Sequence, residues 1–137
     1  MNNKILFLLF ALFFLGCGKL QFDGMTFFTV KGRLTDANNT SIPNITLEVF
    51  NTKETTSGFS GRGTDEAICA TGVTDSNGNF KINYPKSNGV VYLQLPYGLQ
   101  MIDSVKVNSY YNYLVYLQPN KFHDALIDLQ TLKISYK

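Results

Sequence analysis

The chain has 137 residues, which is room for one ordinary domain and not comfortably for two. Eleven Phe and eight Tyr, with abundant Val, Ile and Thr and no long Ala/Glu/Lys/Leu stretches, favour strands over helices. A net charge of +2 with Lys and Arg scattered along the chain leaves no basic stripe for nucleic acid and no acidic tail, and two cysteines are too few for a disulfide framework.

Met1-Asn2-Asn3-Lys4 is a short, positively charged start, and Ile5 to Leu15 is unbroken apolar sequence. Such a run is too short to span a bilayer, which takes about 20 apolar residues, but it has the length and flank of a signal-peptide core. It ends in Phe14-Leu15-Gly16-Cys17-Gly18, which resembles the lipobox of bacterial lipoproteins. Phe14 departs from the aliphatic residue usual in that motif. The resemblance implies cleavage after Gly16, diacylation of the Cys17 sulfur with palmitate-type chains, and acylation of the new amino terminus. Each buried methylene contributes about 0.8 kcal/mol, so two or three chains hold a protein on a membrane without any protein contact. Cys69 is then left as a lone thiol, expected to be a small, inert, buried hydrophobe. Lys19 to Gly24 reads as a short tether.

From there the chain alternates. Phe28, Val30 and Leu34 give a first strand with one buried face, and Gly32 within it marks a bulge or a close backbone approach. Asp36 to Ser41 is a turn cluster, and Ile45, Leu47 and Val49 carry a second strand. The segment Asn51 to Asp65 is polar and Gly-rich without apolar periodicity, and is expected to be a long mobile loop. A third strand runs from about Ile68 to Thr74. Asn77-Gly78 follows, between two alternating runs. This pair is the strongest short-range hairpin signal and predicts a type I′ turn, with the Asp75 carboxylate folded back onto backbone N–H groups. Phe80 and Ile82 share the inner face of the fourth strand. Pro85 to Gly89 is the next break. Val91, Leu93 and Leu95 line another strand, Val105 and Val107 a short one, and Tyr110 to Leu117 a strand with apolar or aromatic residues on both faces. In the last strand Ile127 and Leu129 have one parity and Leu132 and Ile134 the other, which places a bulge near Gln130-Thr131. Seven or eight short strands at regular spacing predict a β-sandwich.

Three pieces in order also carry a resemblance. Val30-Lys31-Gly32-Arg33-Leu34-Thr35-Asp36, Ile42-Pro43-Asn44-Ile45-Thr46-Leu47 and Thr74-Asp75-Ser76-Asn77-Gly78-Asn79-Phe80 are similar to the carboxypeptidase regulatory-like domain, over roughly Phe27 to Leu117. The resemblance implies a transthyretin-like sandwich that serves as a folding and contact module in envelope proteins, with catalysis left to other domains. The chain then divides into a signal peptide (1–16), a lipidated tether (17–25) and the sandwich (26–137).

Few residues offer chemistry. His123 lies beside Asp124 in Asn120-Lys121-Phe122-His123-Asp124, a pairing that suits a base but more commonly marks an ordinary surface loop. Nucleophile-elbow, zinc-protease and phosphate-loop motifs are all absent. Ile134-Ser135-Tyr136-Lys137 does not match the C-terminal Tyr-Arg-Gly-Ser of transthyretin-like ureide hydrolases, so that activity is not transferred. Asp75-x-Asn77-x-Asn79 spaces oxygens as calcium loops do, yet no later carboxylate completes the set and turn chemistry explains the same residues. The expectation is therefore no catalytic residues, no metal and no cofactor. Tyr110, Tyr111, Tyr113 and Tyr116 remain as candidates for contact with a protein partner or a glycan, against the plainer reading that they cover the sandwich edge. The function expected is a non-catalytic accessory module, or alternatively a pilus-like subunit assembled by strand exchange. Gly18 after the cysteine is not the acidic residue of inner-membrane retention, which points to the outer membrane, with the periplasmic face preferred over the cell surface.

Overall fold

The computed structural model describes residues 19–57, 61–102, 113–117 and 125–136. Among the described residues eight strands are present: β1 (Phe22–Thr35), β2 (Thr46–Ser57), β3 (Gly61–Val73), β4 (Asn79–Ser87), β5 (Val90–Gln94), β6 (Leu99–Met101), β7 (Leu114–Tyr116) and β8 (Leu126–Tyr136). They form two four-stranded sheets, ordered β4-β1-β8-β6 and β3-β2-β5-β7. The described chain is thus the all-β sandwich that the alternating pattern predicts.

The core follows from that alternation. Val30 and Leu34 of β1, Phe80, Ile82 and Tyr84 of β4, Leu132 and Ile134 of β8, and Leu99 and Met101 of β6 are buried on the first sheet. Leu47 and Val49 of β2, Val91 and Leu93 of β5, Leu95 just beyond it, and Val115 and Leu117 around β7 are buried on the second. Burial removes apolar surface from water at about 25 cal/mol per Å², and successive side chains point to opposite faces, so each strand puts every second residue into this layer.

Two irregularities lie where the residues place them. In the parallel β1–β8 pair the register shifts between Lys31 and Arg33, opposite Asp128 and Thr131, and Gln130 there has φ 55°. That extra residue explains the parity change from Leu129 to Leu132. Gly32 faces it: a Cβ on Gly32 would lie 2.8 Å from the Phe80 ring and 3.2 Å from the Gln130 carbonyl oxygen. Only a residue without a side chain lets the bulge and the ring meet.

The β3–β4 turn differs from the expected type I′. Asn77 does not have positive φ; Gly78 alone does, at 76°. Gly78 N donates to Asp75 O and Asp75 N to Asn79 O, both at 2.9 Å, so the connection is a three-residue loop with glycine at its left-handed position. The Asp75 carboxylate does fold back, accepting the Asn77 and Asn79 N–H at 2.8 Å. Asp36 repeats the device: its Oδ1 accepts Asn38 N and Thr40 N at 2.8 Å, and Asn39 takes the left-handed place at φ 65°. Arg33 ties the two turns together, donating from Nε to Asn77 O (3.0 Å) and from Nη2 to Ser41 Oγ (2.7 Å).

The segment from Asn51 to Asp65 is not the mobile loop expected. β2 and β3 stay paired from Thr46↔Val73 through to Ser57↔Gly61. Thr52, Thr55, Thr56 and Thr64 are good strand formers, and the apolar alternation is missing because β5 pairs β2 only as far as Thr52↔Val90. Beyond that point the ribbon has no core to face. β3 accordingly begins seven residues before the expected Ile68. β4 runs through Pro85, which an edge strand tolerates, and breaks at Asn88-Gly89. β1 begins at Phe22, inside the stretch expected as a tether. Val105 and Val107 lie outside the described residues.

Candidate contact surface

The outer face of the second sheet carries a row of large side chains that crosses all four strands. Ile68 pairs with Phe50, Phe50 with Tyr92, and Tyr92 with Tyr116. Their neighbours Val49, Asn51, Val91, Leu93 and Val115 are buried, so strand alternation turns this row outward. Phe50, Tyr92 and Tyr116 are half-buried against one another, and Ile68 at the edge is 56% exposed. The Tyr92 and Tyr116 rings meet at 5.6 Å between centroids, tilted by 46°. That is the range of favourable aromatic pairs, so each ring fixes the other.

Polar rows flank this stripe. On one side lie Thr71, Glu48, Gln94 and then Leu114; on the other lie Glu66, Thr52 and Val90. The arrangement is a rigid aromatic strip with carboxylates, an amide and hydroxyls along its sides. It can stack on the flat apolar face of a sugar ring, or on a partner's aromatic or aliphatic side chains, while the flanking oxygens take hydrogen bonds.

Of the tyrosines singled out from the sequence, Tyr116 belongs to this stripe. Tyr113 is 43% exposed in the turn just before β7, where its carbonyl oxygen accepts Leu95 N at 2.9 Å. Tyr110, Tyr111, Cys17 and His123 lie outside the described residues. Phe50, Tyr92 and Ile68 were not singled out. Their outward parity is readable, but only the strand register brings them into one line.

A second polar group lies between the sheets. Asn51 is fully buried; its Nδ2 donates to Cys69 Sγ (3.1 Å), its Oδ1 accepts from Ser87 Oγ, and Cys69 Sγ donates to Val49 O (3.3 Å). Burial pushes the Cys69 thiol up, so it is protonated and unreactive at neutral pH. Tyr84, fully buried in the core, is pushed up to about 12, first by burial and then by the nearby Cys69. Its hydroxyl has no hydrogen-bond partner among the described residues. The Asp75 carboxylate lies below its ordinary range chiefly because Asn79 N–H donates to it. Its oxygens are thus engaged with its own turn, and among the described residues no group of three or more His, Cys, Asp or Glu is placed to hold a metal ion.

No protein-family model matches the chain, and no curated protein matches it. Among solved structures it is similar to part of a 9R-lipoxygenase from Cyanothece, at 22% identity and a TM-score of 0.49, over 94% of this chain and 20% of that one. The chain spans a fifth of that enzyme's length, and a likeness at this level carries no argument about fold or activity. The class the described strands define is an all-β, two-sheet sandwich with an aromatic strip on one outer face.

Proposed function

We propose that this chain is a lipid-anchored bacterial envelope protein whose sandwich is a non-catalytic contact module for another envelope protein or a glycan. The anchor reading rests on the charged start, the apolar run and Leu15-Gly16-Cys17. The family reading, a carboxypeptidase regulatory-like domain, is supported by the places of its three sequence pieces: β1, the lead into β2, and the β3–β4 hairpin.

The observation that carries the contact role is the Ile68–Phe50–Tyr92–Tyr116 row. Aromatic side chains are enriched at the anchors of interfaces because they bury large area at small entropic cost. The test is a photo-crosslinking residue placed at Tyr92 in one strain and at Asn38, on the far turn, in another. The reading expects one discrete adduct from position 92, lost when Phe50→Ser is added, and none from position 38. Equal labelling at both positions, or no adduct together with no co-sedimentation with cell-wall glycan, contradicts it.

Assembly by strand exchange is the second reading, and β3 favours it. Among the described residues this strand is a long edge with Ile68 and Val73 exposed on it, the kind of template that accepts another strand. A protein that sediments as a monomer across a wide concentration range rules this out.

A further inference from the structure

The residues just after Cys17 are strapped to the domain. Leu20 N donates to Asp65 Oδ2 (3.2 Å), Gln21 N to Asn88 Oδ1 (2.9 Å), and Asn88 N back to Gln21 O (3.1 Å). The Lys19 carbonyl oxygen accepts from Asn88 Nδ2 (3.2 Å) and Lys53 Nζ (3.4 Å). The Leu20 side chain lies over Gly89, where a Cβ would come within 2.8 Å of Leu20 Cδ1. A segment held by five hydrogen bonds to β2, β3 and the β4–β5 turn is not a free leash.

Lys19 is two residues from Cys17, so an extended chain separates their Cα atoms by at most about 7 Å. Any membrane that holds Cys17 therefore lies at this end of the sandwich. The β2–β3 ribbon points the same way. From the Lys53↔Asp65 pair, where the strap sits, it continues four residues to Ser57↔Gly61, about 13 Å at the usual strand rise. The ribbon is longer than the reach from Lys19 to Cys17. Each headgroup layer of a bilayer is only about 5–8 Å deep, so the ribbon must meet it.

From these observations we propose that the sandwich stands end-on against the bilayer. The strap Lys19–Gln21, the Asn88-Gly89 turn and the β2–β3 ribbon then face the lipid headgroups, and the Asp36 and Asp75 turns point away. This orientation rests on the lipid-anchor reading. The surface at this end suits a lipid interface: Lys19, Lys53, Arg62 and Lys86 lie there with Phe22, which is 42% exposed, and Met25, which is 92% exposed. Asp23, Glu54, Asp65 and Glu66 lie there too, so covalent attachment rather than net charge sets the orientation. β1 runs from Phe22 beside the strap to Thr35 beside the Asp turns; with the bulge between Asp23 and Phe27 taking up three residues, its two ends lie roughly 33 Å apart. The aromatic strip, which crosses the strands, then runs along a side wall parallel to the membrane, open to partners moving in its plane.

The chain contains no tryptophan, so one introduced residue reports alone. Thr64→Trp on the exposed ribbon and Asn38→Trp on the far turn are made in the full acylated protein. Each is reconstituted into phosphatidylethanolamine–phosphatidylglycerol vesicles with and without a lipid brominated near its glycerol end. The orientation expects Thr64→Trp to lose roughly half its fluorescence to the bromines and Asn38→Trp to be unaffected, since only the first lies at headgroup depth. Adding Asp65→Ala and Asn88→Ala releases the strap and brings the Thr64→Trp signal back toward its unquenched value. Protein that floats with the vesicles but shows equal quenching at both positions, quenching at Asn38→Trp alone, or none at either overturns the end-on orientation and leaves the anchor standing. Protein that does not float overturns the anchor and the orientation together.

Discussion

Gly78 is the residue whose replacement tests the physics of the turn end most sharply. It has φ 76°, its carbonyl oxygen accepts Leu34 N at 2.8 Å, and Leu34 O accepts Ile42 N at 3.1 Å. A Cβ on Gly78 would lie 2.4 Å from Leu34 O and 3.2 Å from Ile42 N, both backbone atoms that cannot swing aside. The left-handed conformation costs an L-residue about 1–2 kcal/mol. Parting the strands enough to admit the methyl group weakens two backbone hydrogen bonds, worth about 1 kcal/mol each. Gly78→Ala should therefore destabilise the domain by roughly 3–4 kcal/mol, a large share of the 5–15 kcal/mol typical of a whole domain. Gly98 supplies the control. Its φ is 88°, yet among the described residues nothing lies within 4 Å of a Cβ placed there, so Gly98→Ala should show the conformational term alone, about 1–2 kcal/mol. Urea unfolding of residues 17–137 carrying Cys17→Ser, with and without each change, measures both losses. Equal losses in the two variants, or a Gly78→Ala loss below about 1 kcal/mol, would refute the three-way junction of hairpin, β1 and Asp36 turn.

Tyr84→Phe removes a buried hydroxyl that has no partner, so stability should hold or rise by up to about 1 kcal/mol; a loss of that size would show that the hydroxyl is bonded. The same residue sets an alkaline limit. Its folded value of about 12 lies above the ordinary 10.0, so its contribution is intact below pH 10 and is lost as pH rises from there toward 12. Tyr84→Phe should flatten that part of the stability–pH curve. At the acid end, backbone N–H donors hold the carboxylates of Asp23 (from Met25), Asp75 (from Asn79) and Asp128 (from Gln130) below their ordinary range. Their contribution is present above the ordinary aspartate value of 3.8 and is lost as pH falls through the lowered ones. Thermal melts from pH 5 down to pH 2 should show this decline, shallower in Asp75→Asn; a flat profile would contradict it.

Local features were legible wherever a residue's own geometry decides the structure. The parity change between Leu129 and Leu132 located the bulge at Gln130, and Gly32 marked the backbone approach facing it. The Asp75 fold-back was legible too, although the loop has three residues rather than two because Asn77 keeps negative φ. Asp36-Ala37-Asn38-Asn39-Thr40 and Asp75-Ser76-Asn77-Gly78-Asn79 build the same turn, and Asp at the first place with Asn or Gly at the fourth is the signal that would have found it.

What depends on distant pairing was not legible. The β2–β3 ribbon past Thr52 has no core face, so the alternation that marks a strand is absent there. β6 is three residues long and follows Gly98, and its place beside β8 comes from Leu99↔Tyr136 and its neighbours. The aromatic strip needs three separate registers before Ile68, Phe50, Tyr92 and Tyr116 fall into line. Alternation assigns each of them a face and no more.

The measurement that bears most directly on the account is the intact mass of the protein purified from membranes, beside a Cys17→Ser variant. Lipid anchoring predicts a mass equal to the chain from Cys17 onward plus its acyl groups, and a variant that lacks those groups and leaves the membrane. An unacylated chain whose mass and membrane association are indifferent to Cys17→Ser would contradict it. The protein would then be a free secreted sandwich, and pairing of Cys17 with Cys69 would become the next question.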